Sequence, residues 1–187
     1  MTPPLRFGYI DESIHDRQGL YLLAVVRAEP SRDDEARGVL TACVPNGRRP
    51  HWCKESDAVR DALVRAVASL GVDASVYACR FGDLHRQEAA RARALSWAAL
   101  ELAPGVGHLV IDRREDRQNQ TDRKVLSAFA GRPLRFTFAH ASSSSTPLLW
   151  VADIVVGAAA AQLARGEERY LKALDGSGEL SCELTAS

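Results

Sequence analysis

The sequence predicts an α/β domain that opens with an antiparallel β-hairpin and carries helices on both faces of its sheet. Three observations lead there. Two β-prone runs stand at the N-terminus with only a short polar connection between them. Further strand-like runs follow, interleaved with longer segments of helical periodicity. Finally, Pro147–Ala164 is a long apolar stretch in which Asp153 is the only charged residue. No internal repeat and no linker divides the chain. Residues 1–175 therefore read as one domain of ordinary size, and residues 176–187 as a frayed tail.

The elements follow in order. Leu5–Asp11 alternates, with Phe7, Tyr9 and Asp11 on one face of a strand. Gly19–Ala28 is a second strand, and the connection through His15, Asp16 and Gly19 is short enough for a hairpin. Ser31–Val44 begins with a hydroxyl followed by acids, a helix start. Pro45–Pro50 breaks the pattern. Glu55–Leu70 is the clearest amphipathic helix, with Val59, Ala62, Leu63, Ala66, Val67 and Leu70 at helical spacing and Gly71 as its stop. Val72–Arg80 reads as a strand, Asp83–Leu102 as a long helix, and His108–Asp112 as a short strand ending in an acid. Asp116–Ala130 is weakly helical and Leu134–Ala139 alternates as a last strand. After the loop Ser142–Ser145, Thr146-Pro147 pairs a capping hydroxyl with proline at the first helical position. Glu167–Leu174 is one further helix.

Composition narrows the function classes. Formal net charge is zero, which argues against a protein that holds nucleic acid through a broadly basic surface. No unbroken apolar run reaches the roughly 18 residues of a membrane span, and Met1–Arg6 lacks the layout of a signal peptide. A cytoplasmic protein without a membrane partner is expected. The four cysteines form no Cys-x-x-Cys pair and have no histidine at zinc-ligand spacing, so they read as small buried thiols in a reducing compartment.

The candidate chemistry lies in carboxylates. Asp153 on its apolar helix is costly unless paired or bound to a cation. Asp11 and Glu12 end the first strand and alternate to opposite faces, so only one of them enters a given site. Asp112 ends a strand, where open α/β sheets place their ligands. Glu55 occupies the first turn of the amphipathic helix, in line with its buried stripe; an acid there also suits the helix dipole. His51 and Lys54 stand beside it as a proton shuttle and a phosphate contact, or as ordinary polar surface. The Ser142–Ser145 loop offers backbone N–H groups to a phosphate or is simply a loop. Asp116 and Asp122 read as solvated acids, and Arg113 and Arg114 as contacts to a phosphate strand or as commonplace arginines after a strand.

Three motifs carry a resemblance: Tyr9-Ile10-Asp11-Glu12-Ser13, Leu109-Val110-Ile111-Asp112 and Pro147-Leu148-Leu149-Trp150-Val151-Ala152-Asp153, with His51-Trp52-x-Lys54-Glu55 between the first two. In this order, over roughly residues 5–165, they resemble a bacterial family of unknown function numbered 3800. The chain differs at Ile14, where that family has glycine, and at Trp150, where it has glutamine. The resemblance implies an RNase H-like mixed sheet and a carboxylate site built from Asp11, Glu55, Asp112 and Asp153. Hard oxygen ligands suit Mg²⁺ or Mn²⁺, and a two-ion site is expected. The expected function is a divalent-metal-dependent phosphodiester hydrolase, a nuclease acting on RNA or DNA, with Glu12 as a further ligand candidate. Two other readings stay open: a non-catalytic RNase H-like module that binds nucleic acid or a partner protein, and a hydrolase of small phosphoesters. A homodimer is left open, since the apolar last helix suits either an internal position or pairing with a second copy.

Overall fold

The computed structural model describes residues 6–83, 86–102 and 105–174, and the backbone of 175 and 180–184. Ten residues form the first strand, β1 (Arg6–His15), which turns through a 3-10 segment and Gly19 into β2 (Leu20–Ala28). Gly19 sits in the left-handed region at φ 56°, and a side chain there would collide with the Phe81 carbonyl. The hairpin pairs Asp11 with Ala24, so Asp11, the expected boundary, lies within β1, four residues before its observed end at His15. The strand continues because Glu12–His15 still have β2 to pair with.

Two helices, α1 (Asp33–Thr41) and α2 (Asp57–Leu70), come before the third strand, β3 (Asp73–Arg80). Ser56 caps α2 by accepting the Val59 N–H, so Glu55 stands just outside the helix and not in its first turn. Helix α3 (Gln87–Leu100) leads to β4 (Val106–Asp112), and α4 (Asp116–Ala130) leads to β5 (Thr137–Ala141). The last strand thus starts later than expected. Helix α5 (Pro147–Arg165) and α6 (Arg169–Asp175) follow. Thr146 makes no side-chain cap; Asp33, at the start of α1, reaches over to accept the Leu148 N–H at 3.0 Å. Five residues of the expected tail form β6 (Leu180–Leu184), parallel to β3. The rest of 176–187 lies outside the described residues.

The sheet order is β5-β4-β1-β2-β3-β6. β1, β2 and β3 are antiparallel neighbours, whereas β4 runs parallel to β1 and β5 parallel to β4. This is an RNase H-like mixed sheet, with α1 and α2 inserted in the meander between β2 and β3 and with β6 added at the far edge. Asp112 accordingly ends the first strand after the meander.

Pleating divides the core in two. Tyr9, Leu22, Ala24, Val76 and Val110 face α1, α2, α5 and α6; Ile10, Tyr21, Leu23, Cys79 and Ile111 face α3 and α4. Helices on both faces explain why all nine residues of β2 are buried. By length and composition α5 would cross a membrane, with a mean hydropathy of 1.6 over its most apolar window, yet 78% of that window is buried inside this domain. Cys79 is buried and Cys43 partly so, but Cys53 is exposed, since in its turn it is Trp52 that takes the buried position. That corrects the reading of Cys53 as a buried thiol. The side chain of Cys182 lies outside the described residues.

Candidate metal centre

Alternation along two neighbouring strands builds the site. In β1, Asp11 follows Tyr9 on the α5 face, and in β4, Asp112 follows Val110 on that same face. The register pairs Ile10 with Ile111, so the two acids come next to each other on parallel neighbours, Asp112 at the carboxyl end of β4 and Asp11 inside the longer β1. Asp153 comes from α5, which packs across β1 and β2 from that side. Glu12 goes to the opposite face, as expected from the pleat.

Each of these three carboxylates is anchored through one oxygen. Asp11 Oδ1 accepts the Glu12 N–H at 2.8 Å. Asp112 Oδ1 accepts the N–H groups of Arg113 at 3.1 Å and Ser143 at 3.0 Å. Asp153 Oδ2 accepts the Trp52 N–H at 2.9 Å and faces His51 Nδ1 at 3.3 Å. The other oxygen of each, Asp11 Oδ2, Asp112 Oδ2 and Asp153 Oδ1, has no hydrogen-bond partner among the described residues. Asp11 retains some accessible surface, but protein atoms enclose most of its carboxyl. Burial raises its pKa well above the usual carboxylate value, and the nearby charges of Asp153, Glu12 and Asp112 raise it further; its bond from the Glu12 N–H opposes them.

The anchors have their own supports. Ser143, buried in the serine loop, has its carbonyl held by the Trp150 indole N–H, so the loop spends a backbone donor on Asp112. The loop's candidacy as a phosphate cradle is reduced accordingly. Trp52 is wedged against α5, and a Cβ at Gly157 would fall inside its indole. Glycine at 157 is what allows Trp52 to bring its N–H to Asp153.

Glu55, expected among the ligands, is engaged elsewhere. It is buried, both of its oxygens are taken by Arg48 at 2.7 and 2.6 Å, and Oε1 also accepts the His51 N–H at 3.1 Å. The Arg48 bonds hold its pKa below the usual value against the effect of burial. His51 is brought to Asp153, while Lys54 is exposed at the end of the Trp52–Lys54 turn. Glu12 joins Arg91 at 2.7 Å and stands 3.7 Å from Arg114. Those arginines also hold Asp122, which is 1% exposed and not solvated as expected: Arg91 grips it at 2.8 Å through two nitrogens, with His140 at 3.1 Å and Arg114 at 3.2 Å. Burial alone would raise the Asp122 pKa, but the bonds from Arg91 and His140 hold it well below the usual carboxylate range. No local pattern distinguished Asp122 from its polar neighbours. The only hint was its place at helical spacing from the buried Leu126. Asp116 is exposed, as expected.

Among the described residues, no three His, Cys, Asp or Glu side chains stand close enough to enclose an ion as they are. The donor set nonetheless fits a hard divalent cation. Three like charges share a partly buried site, each has one oxygen without a hydrogen-bond partner among the described residues, and the strongest influences on Asp11 after burial are acidic. Glu12 and Glu55 do not fit in the same way, since arginines already neutralise them.

No protein-family model matches this chain, and no curated protein is similar to it.

Proposed function

We propose that the protein is a divalent-metal-dependent phosphodiester hydrolase, a nuclease, whose Mg²⁺ or Mn²⁺ is held by Asp11, Asp112 and Asp153. Relationship to the family numbered 3800 is part of this reading. The observation that carries it is the division of labour within the three carboxylates, one oxygen anchored and the other without a hydrogen-bond partner among the described residues. Buried acids that serve only stability are paired, as Glu12, Glu55 and Asp122 are in this same protein.

A bound cation supplies Lewis-acid polarisation of the phosphoryl oxygens and a more acidic water. The chain's own groups do the rest. Backbone N–H donors orient the acids before any substrate arrives. His51, with Nδ1 facing the Asp153 carboxylate, donates from that nitrogen, which leaves Nε2 to accept a proton from the attacking water and then pass it to the leaving oxygen. Lys54 contributes a point charge for a phosphate. The unclosed arrangement of the acids favours one second reading, a non-catalytic module of the same fold.

A cleavage panel decides between them. Labelled RNA, DNA and hybrid, each single-stranded and duplex, are incubated with Mn²⁺, Mg²⁺ or EDTA, using wild type and Asp153→Asn. Cleavage abolished by both EDTA and the substitution is the expected result. Folded protein that cleaves nothing in any lane would transfer the assignment to the binding module.

A further inference from the structure

The insertion between β2 and β3 brings more to the site than an anchor for Asp153. Between α1 and α2 it carries Arg48, Arg49, His51 and Lys54, which line an open cavity of about 650 Å³. The Trp52 N–H and the His51 ring tie this loop directly to Asp153, so the cavity borders the acid cluster. The loop is also held in shape. Glu55 serves as a buried internal anion around which it folds, bonding Arg48 through both oxygens and accepting the His51 N–H. Trp52 packs edge-on against Tyr170 at 4.9 Å, with the Arg60 guanidinium 5.3 Å from its ring.

The charges on this rim are unequal. Glu55 compensates Arg48. Arg49 and Lys54 are exposed and have no ion-pair partner among the described residues. Two uncompensated cations thus stand beside a cluster of carboxylates, in a protein whose net charge is zero. Long-range attraction from the whole molecule is absent, and the acids themselves repel a polyanion. A substrate phosphate needs local positive charge at the edge of the site, and this loop is where it stands.

We propose that Arg49 and Lys54 bind backbone phosphates of a nucleic-acid strand next to the one presented to the acid cluster, with Arg48 and Glu55 holding the loop in place. This deepens the proposed function and rests on it for the identity of the substrate. Contacts of this kind are made to the backbone, so they carry affinity without base sequence.

The test is binding of a fluorescently labelled single-stranded oligonucleotide, followed by anisotropy in EDTA over a range of salt. Wild type is compared with Arg49→Ala/Lys54→Ala and with Arg117→Ala, which removes an exposed charge from α4. Each phosphate contact on a single strand contributes about 0.7 to the slope of log K against log salt. The double variant should therefore lose about 1.4 in slope and roughly 25-fold in affinity at about 0.1 M salt, while Arg117→Ala follows wild type. An unchanged slope, equal damage from Arg117→Ala, or no binding by wild type overturns the proposal. A Mn²⁺-induced rise in melting temperature, measured on the same proteins, reports the acid cluster separately. Loss of salt-dependent binding with that rise intact in the double variant supports the rim. Absence of the rise in wild type would count against the metal reading and leave the rim result standing.

Discussion

Substituting Asp11 by asparagine separates the electrostatic cost of the site from its use. Asparagine keeps the Oδ1 acceptor for the Glu12 N–H and removes the charge that Asp153, Glu12 and Asp112 oppose. Folding raises the Asp11 pKa, so the folded state holds this proton more tightly than the unfolded chain does. The carboxyl is therefore neutral and without penalty below its unfolded pKa, near 4, and its ionisation destabilises the fold progressively as the pH rises from there through the folded value. Each unit of raised pKa is worth about 1.4 kcal/mol, and each kcal/mol about 2–4 °C in a chain of this size. Without metal at pH 7, Asp11→Asn should melt above wild type, and the gap should close in acid. Divalent cation reverses the order. At a hundredfold excess over its dissociation constant, a ligand of the folded state adds about 2.7 kcal/mol, or roughly 5–11 °C in wild type, and the variant should gain little. Differential scanning fluorimetry with Mn²⁺ or EDTA, from pH 4 to 8, measures both effects. A variant less stable than wild type without metal, or an equal response to Mn²⁺ in both proteins, would refute this account of Asp11.

Two other perturbations test the surroundings of the site. Arg91→Met removes a side chain that is 1% exposed and bonds Asp122, Glu12 and Tyr21, leaving buried acids short of a partner; it should cost about 3–5 kcal/mol in chemical denaturation. Because Asp122 is depressed in the fold, its contribution should be complete above the unfolded carboxylate pKa and be lost as the pH falls through the folded value, a slope that Asp122→Asn would remove. Gly157→Ala places a methyl group inside the Trp52 indole, so Trp52 must shift; it should cost about 1–3 kcal/mol and weaken the Mn²⁺ response, since the Trp52 N–H anchors Asp153.

Much of this architecture was legible because it is periodic. The alternation of Phe7, Tyr9 and Asp11 against Ile10 and Glu12 assigned the two acids to opposite faces, and the pleated sheet keeps that assignment. Helical spacing located α2, the Thr146-Pro147 start located α5, and an isolated Asp153 in an apolar stretch marked the candidate site. Boundaries were less secure where they depend on a neighbour. β1 runs on to His15 because β2 is there to pair with, and α2 begins after Glu55 because Ser56 supplies the cap.

The fate of each charged group belongs to a different level. Glu55 and Asp153 both looked like ligands in the primary structure, yet one is neutralised by Arg48 and the other keeps an oxygen without a hydrogen-bond partner among the described residues. Asp122 looked solvated and lies at the centre of a buried network that includes Arg91, 31 residues away. Composition, periodicity and capping act over a few residues, so the chain alone determined its elements, their buried faces and the short list of acids. Which acids are compensated depends on distances between side chains far apart in the chain. Those distances exist only once the sheet order and helix packing have formed, so the tertiary structure decided them.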